Sequence, residues 1–145
     1  MAGFVLDRGL QTFDISDPDG TVVGSIRLNP SDLGLAARWA EAGKKIGELT
    51  QAPMDTVEAI GSLDEQIKAQ IDFAFGSPVS VVLFQGASSL ALCADGRLVV
   101  ENVLDAITPV IQGAQQAAVK ASAEHVKGYA KKYQGSNLGL APGQK

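Results

Sequence analysis

The sequence predicts an α+β protein that is mostly helical, with an N-terminal β-hairpin followed by a bundle of four to five helices. Residues 11–28 alternate polar and apolar side chains on either side of a turn, which is typical of two paired strands. Most of the remaining chain repeats apolar residues at steps of three and four, which is the spacing of one helix face. A chain of 145 residues fits one domain.

The predicted hairpin, residues 11–28, turns at residues 17–20, whose sequence is DPDG. Proline presets φ at the second position of a turn, and glycine tolerates the positive φ that often follows. Phe13 and Ile15 lie on one side of the first strand. The alternating positions of the second strand are Val22, Gly24, Ile26 and Leu28. Because a lone hairpin is marginal in water, we expect it to pack on the helices or to pair with another chain.

Capping residues mark the first two predicted helices. The first covers residues 30–49 and has Asn29 as its N-cap. The second covers residues 55–75, begins at Asp55 and ends before Gly76, which suits a left-handed C-cap. The apolar stripe of the second helix is Val57, Ile60, Leu63, Ile67, Ile71, Ala74 and Phe75. Its opposite, solvated face carries Glu58, Asp64, Glu65, Lys68 and Asp72.

Two further helices are predicted. Residues 78–84 are expected to form a short helix, although their valines would also suit a buried strand. The helical pattern resumes at residue 97 and continues over residues 97–133. Pro109 is expected to kink this helix, because proline lacks the backbone donor and its ring clashes with the preceding turn.

The predicted domain organisation is simple. Residues 11–133 form a single globular domain, residues 1–10 a flexible lead-in, and residues 134–145, rich in Gly, Pro and Ser, a disordered tail. No run of 18 apolar residues is present, so no membrane span is expected. The start of the chain lacks the pattern of a secretory signal. The single cysteine cannot form an internal disulfide, which favours the reducing cytoplasm.

The net charge of −4 is distributed unevenly. Residues 1–119 contain 7 Lys and Arg against 15 Asp and Glu, a net of −8, whereas residues 120–145 contain 5 Lys against 1 Glu, a net of +4. The basic end would suit docking to an acidic partner or to a second copy of the chain, or it is simply solvated. The acidic body argues against a nucleic-acid interface, which needs a dense basic face.

None of the candidate chemical sites has the residues that its chemistry requires. If the glycine of the turn at residues 17–20 were the sixth residue of a calcium loop, Ile15 and Ile26 would stand at the first and twelfth positions, where ligands are needed. His125 is the only histidine and has no second zinc ligand near it in sequence. Cys93 has no neighbouring base, and a small apolar role is the simpler interpretation. We therefore expect no catalytic site, no cofactor and no metal.

The order of these elements and four short motifs resemble the small tail assembly chaperones of long-tailed bacteriophages and prophages. Two motifs lie in the hairpin, at residues 13–15 (FDI) and 24–26 (GSI). The others end the second helix, at residues 71–76 (IDFAFG), and begin the last one, at residues 99–109 (VVENVLDAITP). The similarity extends over residues 11–115.

The resemblance implies a cytoplasmic, largely helical protein that binds the tape measure protein, a long helical chain with exposed apolar stripes. Such a chaperone keeps the tape measure protein soluble until tail tube subunits replace it. The resemblance also implies a homo-oligomer. From the acidic body and the lack of a long apolar run, we expect neither a nucleic acid nor a membrane as partner.

A partner of this kind would be held by helix-in-groove contacts, for which large apolar side chains are the typical anchors. The candidates for a partner-facing or self-associating surface are Trp39, Ile46, Phe73, Phe75, Val81 and Phe84. Ordinary core packing is the alternative for each of them.

Two other functions stay open. A structural tail or baseplate subunit would assemble into stable rings or tubes through the edge of the hairpin. A generic helical protein-binding module would be a monomer without a large exposed apolar patch.

Overall fold

A computed structural model describes residues 2–136 of the chain, with side chains through residue 132. The predicted class is confirmed. An antiparallel hairpin of strands β1 and β2 precedes four helices in the described part of the chain. The elements are β1 (Gln11–Ser16), β2 (Val22–Leu28), α1 (Leu33–Leu49), α2 (Val57–Phe75), α3 (Ser80–Phe84) and α4 (Val99–Ser136).

The turn between the strands forms where the sequence predicts it. The backbone N–H of Gly20 donates to the carbonyl of Asp17 at 2.9 Å, and Gly20 has a φ of +90°. The N–H of Thr21 donates to the Asp19 carboxylate at 2.9 Å. Hydrogen bonds from the backbone and side chain of Thr21 hold the pKa of Asp19 below its ordinary value.

A β-bulge changes the faces of the second strand. Gly24 pairs with Ile15, but the next pair joins Ser16 to Val22, so Val23 is the extra residue. The alternation of side chains between the two faces is therefore shifted by one residue in the part of β2 that precedes Gly24. Val22, predicted on the packed side of the strand, is exposed, whereas Val23 is half-buried.

At Gly24 the hairpin packs closely against α3. A Cβ added at Gly24 would lie 2.8 Å from Cγ1 of Val82, closer than packed carbons tolerate. We expect Gly24→Ala to lower the free energy of unfolding by about 1–3 kcal/mol, because the strand or α3 must shift. Urea unfolding followed by circular dichroism measures the loss.

The matched control for that prediction is Gly61→Ala in α2. Gly61 is exposed, and apart from the adjacent backbone of its own helix no heavy atom lies within 4 Å of the Cβ that alanine would add. Alanine should raise the free energy of unfolding by about 0.5–1 kcal/mol, because it is the better helix former. If Gly24→Ala caused no more loss of stability than the control, the hairpin would not contact α3 at Gly24.

The start of α1 differs from the prediction. The helix begins at Leu33, and Asp32 is its N-cap, accepting the N–H of Gly34 at 2.8 Å. Asn29, predicted as the cap, accepts the N–H of Ser31 at 2.9 Å instead and stabilises a turn ahead of the helix. The predicted first residues of this helix therefore lie in that turn.

The second helix also begins slightly later than predicted. Thr56 rather than Asp55 is the N-cap, because its backbone is extended and its hydroxyl accepts the N–H of Ala59 at 3.0 Å. The predicted C-cap is confirmed: Gly76 has a φ of +69° and lies in the left-handed region. The short segment predicted at residues 78–84 is a helix and not a strand, but it begins two residues later, at Ser80.

The last helix begins two residues later than predicted, at Val99, and ends three residues later. It continues to Ser136, so residues 134–136 are helical and not part of a disordered tail; residues 137–145 lie outside the described residues. Pro109 lies inside the helix, and the kink there stays a prediction. Residues 2–10 form neither helix nor strand, and the Asn29 amide donates to the carbonyl of Arg8 at 3.0 Å.

The core lies where α1 packs against α2 and α4. Arg38, near the start of α1, donates from Nε to the carbonyl of Ala74 at the end of α2, at 2.9 Å, so these two helices run antiparallel. The hairpin and α3 close one side of the core. Its buried side chains include Ile26, Leu35, Trp39, Ile46, Ile67, Ile71, Phe84, Val100 and Ile111. Among the described residues, no helix is both long and apolar enough to cross a membrane.

Candidate partner-binding groove

A groove of about 530 Å³ lies where the hairpin, α3, the loop before α4 and the first turns of α4 meet. We call it the apolar groove, because most of its lining is hydrocarbon. Its apolar walls are formed by Ile15, Val23, Leu83, Phe84, Val99, Val103, Ala106 and Ile107. A groove lined in this way offers space for the apolar face of a partner segment.

The wide apolar arc of α4 explains why the groove exists. Val100 and Ile111 are buried, and Ile111 lies beside Trp39 of α1. Val99, one position away from Val100, is half-buried and lines the groove, and the buried Val103 forms part of the same wall. One helix surface is thus shared between the core and the groove, because α1 covers only part of the arc.

The rim of the groove is acidic. Asp17 of the hairpin turn and Asp95 of the loop before α4 both line the groove and are both exposed, so we call these two residues its rim. The Asp95 carboxylate accepts the N–H of Arg97 at 3.0 Å, which fixes its position in the loop. An apolar floor with carboxylates at the rim suits an amphipathic segment that carries Lys or Arg beside its apolar stripe.

The structure places three of the six predicted partner-binding residues in the core. Trp39 is 4% exposed, Ile46 1% and Phe84 3%. The indole N–H of Trp39 donates to Oγ1 of Thr108 at 2.9 Å, so even its polar atom is satisfied inside the protein. The prediction of a partner-facing surface is therefore corrected for Trp39 and Ile46, whose positions on the inner stripe of α1 turn them towards α2 and α4. Phe84 contacts the groove only as part of its wall.

The other three predicted residues differ from one another. Phe73 is 62% exposed and Val81 is 73% exposed, so both lie on the surface. Phe75 is half-buried and packs edge to face against Trp39, with 5.4 Å between the ring centroids. The six residues do not form one surface.

Several residues of the apolar groove were not predicted. Val23 was missed because the bulge reverses its direction, which simple alternation does not reveal. Leu83 and Val99 were missed because their helices carry more apolar positions than the stripe that packs inside. An apolar arc wider than one neighbour can cover is the signal in the sequence that would have found Val99, Val103 and Ile107.

Two carboxylates that the sequence placed on a solvated face of α2 hold the groove wall in position. Oδ1 of Asp64 accepts both the N–H and the hydroxyl of Ser89, each at 2.7 Å. Asp72 accepts the N–H of Ser80 at 2.7 Å and its hydroxyl at 2.8 Å. Each aspartate thus fixes one downstream segment, the loop after α3 or the start of α3 itself. We call these four residues the Asp–Ser clamp.

Lys68 links the clamp to the groove wall. Its ammonium lies 3.1 Å from Oδ2 of Asp64 and 5.4 Å from the ring centroid of Phe84. Partial burial raises the pKa of Asp64, but the hydrogen bonds from Ser89 and the charge of Lys68 outweigh it. The pKa of Asp64 therefore lies below its ordinary value.

No group of three His, Cys, Asp or Glu side chains in residues 2–136 is placed to hold a metal ion. Cys93, half-buried, is part of the groove lining. Comparisons of the chain with protein-family models, with curated proteins and with solved structures found no significant match.

Proposed function

We propose that this protein is a tail assembly chaperone of a long-tailed bacteriophage or prophage. In the host cytoplasm it binds the tape measure protein and keeps it soluble until tail tube subunits replace it. The observation that carries the proposal is the apolar groove, an open surface whose lining is apolar and whose rim is acidic. The sequence resemblance of residues 11–115 supports the same function.

The groove suits one face of an amphipathic helix. Its walls combine branched side chains from the hairpin, from α3 and from α4, such as Val23, Leu83 and Val103. Exposed Phe73 and Val81 add apolar surface outside the groove. A chaperone for a long helical chain needs apolar surface that its own core does not use.

The charges favour a protein partner over a nucleic acid. Asp17 and Asp95 at the rim would repel phosphates and attract Lys or Arg side chains that flank an apolar stripe. Residues 1–119 carry a net charge of −8, which keeps the chaperone apart from other acidic surfaces and helps to keep its complex in solution.

The proposal is tested by co-expressing the chain with the tape measure protein of the same phage and measuring how much of that partner stays soluble. We expect the tape measure protein to be insoluble alone and soluble with the wild-type chain. Ala106→Arg should reduce the soluble partner about tenfold, because the new side chain fills the groove from an exposed helix position.

The matched control is Ala69→Arg. Ala69 is also an exposed alanine in a helix, but it does not line the groove, so the same chemical change should leave the soluble partner unchanged. A tape measure protein that stays in the pellet with the wild-type chain contradicts the proposed function. One that stays soluble with Ala106→Arg as well contradicts the groove as its binding site.

A further inference from the structure

The second half of α4 leaves the body of the protein. Beyond Ile111 the described side chains of the helix are exposed or, at two alanines, half-buried. An apolar stripe nevertheless continues along this exposed part, with steps of four, three and four between its members: Val119, Ala123, Val126 and Ala130. We call residues 119–132 the α4 tail. Its stripe has the spacing of a helix face that packs against a neighbour.

The positive charge of the α4 tail indicates that the neighbour packed against its stripe carries negative charge. Lysines stand beside the stripe of the α4 tail at Lys120, Lys127 and Lys131, against one acidic residue, Glu124. Residues 1–119 carry a net charge of −8. The apolar groove combines the two complementary features, because its floor is apolar and its rim holds two carboxylates.

The α4 tail cannot reach the groove of its own chain. The groove uses the first turns of α4, up to Ile107, and the helix runs without interruption from Val99 to Ser136. Val119 lies twelve residues beyond Ile107, which is about 18 Å along the axis at 1.5 Å per residue. An intact helix cannot bend back over that distance, so only another molecule can supply the matching groove.

We propose that the α4 tail docks into the apolar groove of a second copy of the chain. Val119 and Val126 then face the groove, and the neighbouring lysines approach Asp17 and Asp95 of the other copy. The contact is heterologous, with the tail of one copy against the body of the next, so it can continue into a ring or a short chain of copies. A single helix face in a groove is small beside a standard interface, so the association is reversible and depends on concentration.

This self-association does not depend on the identity of any other partner. It has one consequence that does rest on the proposed function: the tape measure helix and the α4 tail would compete for the same groove. Binding of the tape measure protein would then release copies from one another.

The test is light scattering of the purified full-length chain after size-exclusion chromatography, over a range of protein and salt concentrations. We expect a mass that rises with protein concentration and falls with salt, because salt screens the paired charges. Three variants should each weaken the association about tenfold. They are a tail-reversed variant (Lys127→Glu with Lys131→Glu), a rim-reversed variant (Asp17→Lys with Asp95→Lys) and the groove-filling Ala106→Arg.

A mixture of the tail-reversed and rim-reversed variants should recover the association. The acidic tail of the first variant then meets the basic rim of the second, and the basic tail of the second meets the acidic rim of the first. Ala106→Arg keeps the groove test valid if the rim-reversed variant does not fold, and Ala69→Arg is its control. A wild-type chain that is monomeric at every concentration overturns the inference. So does an association that the tail-reversed variant loses but Ala106→Arg keeps, which would assign the contact to two α4 tails.

Discussion

Replacing Trp39 with alanine should lower the free energy of unfolding by about 3–5 kcal/mol. The side chain is 4% exposed and joins three helices. From α1 it donates to Thr108 of α4 at 2.9 Å and packs against Phe75 of α2. Its removal leaves a large cavity and takes away the donor to the half-buried hydroxyl of Thr108.

Trp39→Phe separates the contribution of the buried apolar volume from that of the hydrogen bond to Thr108. Phenylalanine keeps most of the apolar volume but cannot donate to Thr108, so we expect a smaller loss of about 1–2 kcal/mol. Both variants are measured by urea unfolding with circular dichroism, since Trp39 is the only tryptophan and its fluorescence disappears with it. A loss below about 1 kcal/mol for alanine would place Trp39 outside the core and reopen it as a partner contact.

Replacing Asp64 with alanine should cost about 2–4 kcal/mol, although the residue stands on the polar face of α2. Its carboxylate accepts two hydrogen bonds from Ser89, a residue with no exposed surface, at 2.7 Å each. Without Asp64, the N–H and hydroxyl of Ser89 stay buried without that acceptor. Glu65→Ala is the control, because Glu65 is an exposed carboxylate on the same helix and its removal should change stability by less than about 0.5 kcal/mol.

The contribution of Asp64 should depend on pH. Its pKa is lower in the folded protein than its ordinary value, so the unfolded chain binds the proton more tightly. The stabilisation is therefore complete above the ordinary pKa of about 4 and is lost as the pH falls through the lower folded value.

The corresponding measurement is the free energy of unfolding of the wild type and of Asp64→Ala at several pH values. The difference between the two should be constant near neutral pH and should shrink in acid, below about pH 4. If the difference instead grew on acidification, the pKa of Asp64 would be raised in the folded protein. Burial would then outweigh the effects of Ser89 and Lys68 on that pKa.

The sequence by itself determined the features that depend on neighbouring residues. The DPDG turn and the stop at Gly76 follow from the φ values that proline and glycine allow. The apolar stripe of α2 follows from apolar spacing, which fixes one helix face whatever it contacts. Helix starts were less well determined, because adjacent residues such as Asp55 and Thr56 can both cap and the backbone selects one.

Only the tertiary structure decided which apolar residues are inside. Periodicity placed Val57 on the same stripe of α2 as Ile67, but the other elements cover only the later turns of that stripe. Val57 is therefore exposed, whereas Ile67 is fully buried. The groove depended on a bulge that turns Val23 inward and on α1 covering only part of the α4 arc.

The Asp–Ser clamp shows the same limit for polar residues. Asp64 and Ser89 are 25 residues apart, and nothing local in either segment indicates their contact. The spacing of apolar and polar residues along a chain predicts which face of one segment is buried and which is exposed. Which segment supplies the matching surface depends on how distant elements pack, and in this protein that packing formed both the clamp and the groove.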